Sequence, residues 1–113
     1  MAIPFVKESK RHQPLEIHDL GGIVDLLKKH GFSSHRYYDL GLYLGLHFYT
    51  LHDIQNKYYG DVDRCLRECL IAWLLQRDSV MRRGGPTYDA LIQALRRMRE
   101  NAVADGIERD SKE

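Results

Sequence analysis

The chain has no long apolar run, little cysteine and almost no net charge, and each absence excludes something. Nothing approaches the ~18 consecutive apolar residues of a membrane-spanning helix, so no membrane role is expected. The opening stretch, Met1 to Lys10, contains no apolar segment of signal-peptide length. Cysteine occurs twice, at Cys65 and Cys69, which excludes a mini-protein built on a disulfide framework. Reduced thiols without an export signal point to an intracellular, cytoplasmic chain. The 17 basic residues meet 16 acidic ones, and a net charge of +1 gives no global field of the kind a nucleic-acid binder shows. There is no internal repeat, no low-complexity tract and no alternating apolar–polar pattern of strand length.

What is present is an ordinary globular composition: 43% hydrophobic and 29% charged over 113 residues. Two domains would each be too short to bury a good core, so one core is expected. Residues 1–16 mix Lys7, Lys10, Arg11, His12 and two prolines without periodicity and read as a flexible leader or linker. Residues 17–110 form the domain, and 111–113 a polar tail.

Within the domain the apolar residues follow helical spacing. Leu20, Ile23, Val24 and Leu27 make one stripe, ended by Lys28, Lys29, His30 and Gly31. Tyr37, Leu40 and Leu44 make a second, with Gly41 and Gly45 on the same stretch, where a small residue lets another helix approach closely. Thr50 with Asp53 has the form of a capping box, opening a third helix through Leu51, Ile54 and Tyr58. Asp61 to Arg77 is the strongest helix. Asp61 suits its N-cap, and Val62, Cys65, Leu66, Cys69, Leu70, Trp73 and Leu74 fill two adjacent columns, so it should run through the centre of a bundle. Arg64 and Glu68 add one i,i+4 pair worth about 0.3 kcal/mol. Gly84-Gly85-Pro86 is the clearest break, after which Thr87 caps a helix carrying Leu91, Leu95, Met98 and Ala102. Asn101 interrupts that stripe, leaving a short last helix from Ala102 to Ile107. The expected fold class is all-α.

No constellation in the sequence carries catalysis. A zinc site needs converging ligands, but His47 and His52 stand five apart across a predicted loop. Cys65 and Cys69 share a helix face, but it is the apolar one, with Trp73. There they act as small hydrophobes rather than as a nucleophile, which needs a nearby base or helix terminus to lower its pKa. Arg82-Arg83-Gly84-Gly85-Pro86-Thr87 lacks the Gly-Lys-Ser/Thr ending and the preceding strand of a phosphate loop. Neither an enzyme nor a cofactor is expected.

The helix order and its anchors resemble the death domain of the death-fold superfamily. Tyr37-x-x-Leu40-Gly41-x-x-Leu44-Gly45-Leu46 is similar to that family's second-helix pattern, W-x-x-L-A-x-x-L-G-L. Ile54 follows like the third-helix isoleucine. Cys65-Leu66-x-x-Cys69-Leu70-x-x-Trp73-Leu74 resembles the fourth helix, Pro86-Thr87-Tyr88-x-x-Leu91-x-x-Ala94-Leu95 the fifth, and Ala102-x-x-x-x-Ile107 the start of the sixth. Tyr37 stands where the family has tryptophan, and the segment from Leu46 to Leu51 is about one residue longer than its pattern. The resemblance implies a six-helix antiparallel Greek-key bundle without cofactor or catalytic site. It also implies an adaptor that binds other death-fold domains, its own copies or others, in intracellular signalling assemblies.

Charge and tyrosine mark candidate surfaces. From Arg77 to Arg99, six arginines face two aspartates, a local +4; from Glu100 to Glu113, five acids face Arg109 and Lys112, a local −3. Guanidinium pairs carboxylate in a planar, bidentate way, and opposite patches on different faces would give head-to-tail contact between copies. Six of the seven tyrosines lie between residues 37 and 59, with Tyr38 and Tyr43 off the apolar stripe. In death domains the corners at helix four, the following loop and helix five take part in asymmetric contacts. The corresponding residues are Asp61, Asp63, Arg64 and Glu68, then Arg82 and Arg83, then Arg96 and Arg97. Lys57, Tyr58 and Tyr59 form a second candidate surface. The rival reading is a small helical nucleic-acid binder using the Arg77 to Arg99 region, with the near-neutral total charge and the acidic end against it.

Overall fold

A computed structural model describes residues 12–111, and among these the regular structure is entirely helical. Six α-helices follow in order: α1 (Leu20–Lys29), α2 (Tyr37–Leu44), α3 (Phe48–Lys57), α4 (Val62–Leu74), α5 (Tyr88–Arg97) and α6 (Asn101–Asp110). Short 3-10 turns at Ile17–Asp19, Ser34–Arg36 and Val80–Arg83 serve as connectors. Among the described residues no helix is long and apolar enough to cross a membrane.

Local chemistry sets the helix ends. The Asp61 carboxylate accepts the Arg64 amide at 3.1 Å and the Thr87 hydroxyl accepts the Ala90 amide at 3.0 Å, as the sequence leads one to expect. Three boundaries differ from expectation. Helix α3 starts at Phe48, so Thr50 lies inside it and is no cap. Its N-terminus is instead held by Asp78, whose Oδ2 accepts the His47 amide at 2.8 Å and the Thr50 hydroxyl at 2.7 Å. Helix α4 stops at Leu74 rather than Arg77, because Gln76 (φ 63°) and Asp78 (φ 53°) turn left-handed. Arg99 (φ 66°) does the same after α5, and α6 then begins at Asn101, leaving Ala102 exposed rather than in the buried stripe.

The core is one cluster with α4 through its middle. Cys65, Leu66, Cys69, Leu70, Ala72, Trp73 and Leu74 are all buried. Helix α4 packs against α1, α2 and α3, while α5 packs against α2 and α6, and α6 against α1. Burying each large apolar side chain contributes roughly 1.5–3 kcal/mol. Glycines let several elements approach closely, Gly106 of α6 meeting the His30 ring among them. A Cβ on Gly41 would lie 2.6 Å from a Leu51 methyl and 2.9 Å from Cys69 Sγ. Gly45 closes α2 at φ 108°, against the backbone of Ser79, whose amide donates to the Gly45 carbonyl at 2.9 Å.

The fold reaches slightly beyond 17–110. Leu15 is buried and its amide donates to the Pro86 carbonyl at 2.6 Å. Ser111 is buried and its amide donates to the Ile107 carbonyl at 2.8 Å. The remainder of the expected leader, 1–11, and Lys112 and Glu113 lie outside the described residues.

Candidate protein-interaction surfaces

The reactive side chains are withdrawn from solvent. Cys69 is fully buried, 3.6 Å from the Tyr37 carbonyl, and burial, with Cys65 beside it, pushes its thiol up to about 12. Cys65 lies 3.5 Å from the Tyr58 carbonyl. The two free thiols therefore occupy core positions. The histidines serve packing and surface contacts: His30 is mostly covered and bonds Asp110 at 2.8 Å, His47 bonds the Ser79 hydroxyl at 3.0 Å, and His52 meets the rings of Tyr38 and Phe48 edge-on. Among the described residues no three His, Cys, Asp or Glu side chains are grouped to hold a metal ion.

The end of α3 and the start of α4 form one patch. The Arg64 guanidinium lies 4.5 Å above the Tyr58 ring and its Nε donates to Glu68 at 3.1 Å. The Glu68 bond comes from helical geometry, one turn along α4, while Tyr58 is brought under Arg64 by the tight turn between α3 and α4. Lys57, Tyr58 and Glu68 line a shallow groove of about 160 Å³ with Asp53, Leu75 and Arg77. Tyr59 is 86% exposed. Asp61 is committed as the α4 cap. Asp63 faces the other way: the Ser34 hydroxyl donates to it at 2.6 Å and Lys28 lies at 3.4 Å, which together hold its carboxyl below the ordinary range.

The basic stretch divides. Arg96 lies 2.9 Å from Asp105 and 2.6 Å from Glu108, so it ties α5 to α6. Those bonds, that to Asp105 foremost, raise its pKa above the ordinary guanidinium value. The acidic end is spent in the same way. Glu100 pairs with Arg36 at 2.6 Å, and Asp110 with His30 at 2.8 Å and Lys29 at 2.9 Å. Among the described residues, Glu100, Asp105, Glu108 and Asp110 of the expected acidic patch thus fold back onto their own molecule instead of standing as a free face.

Arg82, Arg83, Arg97 and Arg99 are exposed, and none pairs with a carboxylate among the described residues. They line two adjoining grooves, of about 850 Å³ and about 490 Å³, which share Tyr43, Arg83 and Arg97. The larger one is floored by Leu42, Tyr43, Phe48 and Tyr49, exposed by 40%, 40%, 50% and 73%. Neither groove shares a residue with the α3–α4 groove. Sequence reasoning placed Arg82, Arg83 and Arg97 on a surface and counted Arg99 in the basic stretch, but missed Leu42 and Phe48. The available signal was that Leu42 falls off the apolar stripe of its helix; Phe48, three residues before Leu51, gave none. In comparisons with known proteins, no family model, no curated protein and no solved structure matched this chain.

Proposed function

We propose that this chain is a non-catalytic protein–protein interaction module of the death-domain type: a six-helix antiparallel Greek-key bundle that binds other death-fold domains, its own copies or others. Its setting is intracellular signalling in the cytoplasm, where it needs no cofactor. The anchors behind the resemblance support this. Tyr37, Leu40, Leu44, Ile54, Leu66, Leu70, Trp73, Leu91, Leu95 and Ile107 are all buried, while Thr87 and Tyr88 are half-buried and Ala102 is exposed. The packing of α1 beside α6 and of α2 against α4 and α5 is compatible with that topology.

The observation that carries the reading is that exposed arginines and a charged, tyrosine-bearing patch lie on two separate surfaces. Arg82, Arg83 and Arg97 stand on one surface and Lys57, Tyr58, Tyr59, Arg64 and Glu68 on another, without a shared groove residue. Two different surfaces on one protomer give heterologous contact, which closes into rings or continues as open helices. Each contact is weak, and many copies acting together supply the strength.

The test is charge reversal. Arg82→Glu with Arg83→Glu should abolish assembly in sedimentation velocity while the helical circular dichroism stays unchanged. Assembly that persists unaltered removes the basic loop from the contact. The cluster of unpaired arginines beside exposed tyrosines is also what favours the second reading, a small helical nucleic-acid binder using Arg77 to Arg99. Tight retention of duplex DNA in a gel shift at ~150 mM salt would establish that reading instead.

A further inference from the structure

The larger groove has a composition that death-fold assembly does not require. It lies between the ends of α2 and α5 and the start of α3, and its volume of about 850 Å³ is of the size that holds a ligand segment. Four large apolar side chains form an exposed floor: Leu42, Tyr43, Phe48 and Tyr49. The charge around it is mostly positive. Arg36, Arg83, Arg97 and Arg99 line it, against the single acid Asp39. Arg36 is already paired with Glu100 and with Asp39, which leaves three guanidinium groups without a carboxylate among the described residues.

The walls are built in advance. Asp78 holds the His47 amide and the Thr50 hydroxyl, and Ser79 holds the His47 ring and the Gly45 carbonyl. Arg99 reaches the rim from a left-handed backbone at φ 66°, a conformation that side-chain-bearing residues keep only when their surroundings enforce it. A preformed site with fixed walls loses less freedom on binding.

We propose that this groove docks a linear acidic segment of a partner protein, anchored by one or two bulky apolar side chains on the Leu42–Tyr43–Phe48–Tyr49 floor. Its carboxylates would pair with Arg83, Arg97 and Arg99, for which guanidinium has the matching geometry. This goes beyond the assembly reading, although the two share Arg83 and Arg97. The chain's own leader has the wrong sign, with Lys7, Lys10 and Arg11 against Glu8. Its acids between 100 and 110 are committed to Arg36, Arg96, Lys29 and His30. A nucleic acid would offer charge but fits the floor poorly: the Phe48 and Tyr49 rings already lie against each other, 4.2 Å apart, and Leu42 presents no π face.

The experiment pans a random twelve-residue peptide library displayed on phage against the full chain, then measures enriched peptides by fluorescence anisotropy. The expected peptides carry several acids around an aromatic or leucine anchor. Their affinity should fall at least tenfold for Arg97→Glu with Arg99→Glu, and at least tenfold for Phe48→Ser, a half-exposed position whose change leaves the core intact. Circular dichroism checks that both variants fold. The proposal is overturned if no peptide is enriched, if the enriched peptides lack an acidic bias, or if both folded variants bind them as well as the parent. It is also overturned if a twelve-nucleotide single strand competes as strongly as the best peptide, or if light scattering shows the groove occupied by a second copy, with Phe48→Ser abolishing that dimer. Assembly is read by sedimentation and peptide binding by anisotropy, so either reading can fail while the other stands.

Discussion

Gly45 and Gly41 both lack a Cβ, but for different reasons, and the difference has a measurable size. At Gly41 an added methyl meets the ends of two side chains, Leu51 and Cys69, which can shift at the usual overpacking cost of about 1–3 kcal/mol. At Gly45 it meets the Ser79 backbone at 2.8 Å, and the left-handed φ of 108° adds roughly 1–2 kcal/mol of its own. Gly45→Ala should therefore lower the urea midpoint more than Gly41→Ala at unchanged m-value; the reverse order would contradict the close approach of α2 to the loop after α4. The thiols give a second check. Because burial holds Cys69 near 12 and Cys65 is enclosed beside it, neither should react with Ellman's reagent at pH 8 in the native state, and both should react once urea unfolds the chain. Rapid labelling of the folded protein would place a thiol outside the core.

At the scale of elements, the start of α3 depends on a residue 31 positions away. Burial pushes the Asp78 carboxyl up, but the His47 amide and the Thr50 hydroxyl outweigh it and hold the group below the ordinary carboxylate range. Asp78→Ala should cost about 1 kcal/mol, a fall of roughly 4–8 °C in Tm. Asp78→Asn keeps an acceptor and tolerates the left-handed backbone, so it should cost less. A carboxylate lowered on folding stabilises fully above its unfolded value of ~3.9 and loses that contribution as pH falls through the folded one. The gap between the parent and Asp78→Asn should accordingly close in acid, and a gap that stays constant would show that Asp78 does not cap α3 as an anion. The same contact explains what the sequence could and could not reveal. Leu66, Cys69, Leu70 and Trp73 recur at helical spacing, so α4 and its central place were readable from periodicity. Thr50 mimicked a cap because capping is usually local, and nothing near it announced Asp78. The end of α4 was obscured because its left-handed turn is made by Gln76 and Asp78 rather than by glycine. Arg96 and Arg97 look alike in sequence, but only Arg96 meets the carboxylates that α6 brings back. The groove floor was hidden for a related reason: Leu42 and Phe48 are apolar, and apolar residues are ordinarily assigned to a core.

Across the whole molecule, the near-neutral total conceals an uneven commitment of charge. The acids of the last helix are bonded within their own fold, while Arg82, Arg83, Arg97 and Arg99 stand free of carboxylates among the described residues. Attraction between such exposed groups and a partner's acids weakens as the Debye length contracts to about 8 Å at physiological salt. The measurement that tests the account most directly is size-exclusion chromatography with light scattering over a concentration series, at low and at physiological salt. The expected result is a mass above the 13.2 kDa monomer that grows with concentration and shrinks as salt is added. A monomer at every concentration and salt would contradict it.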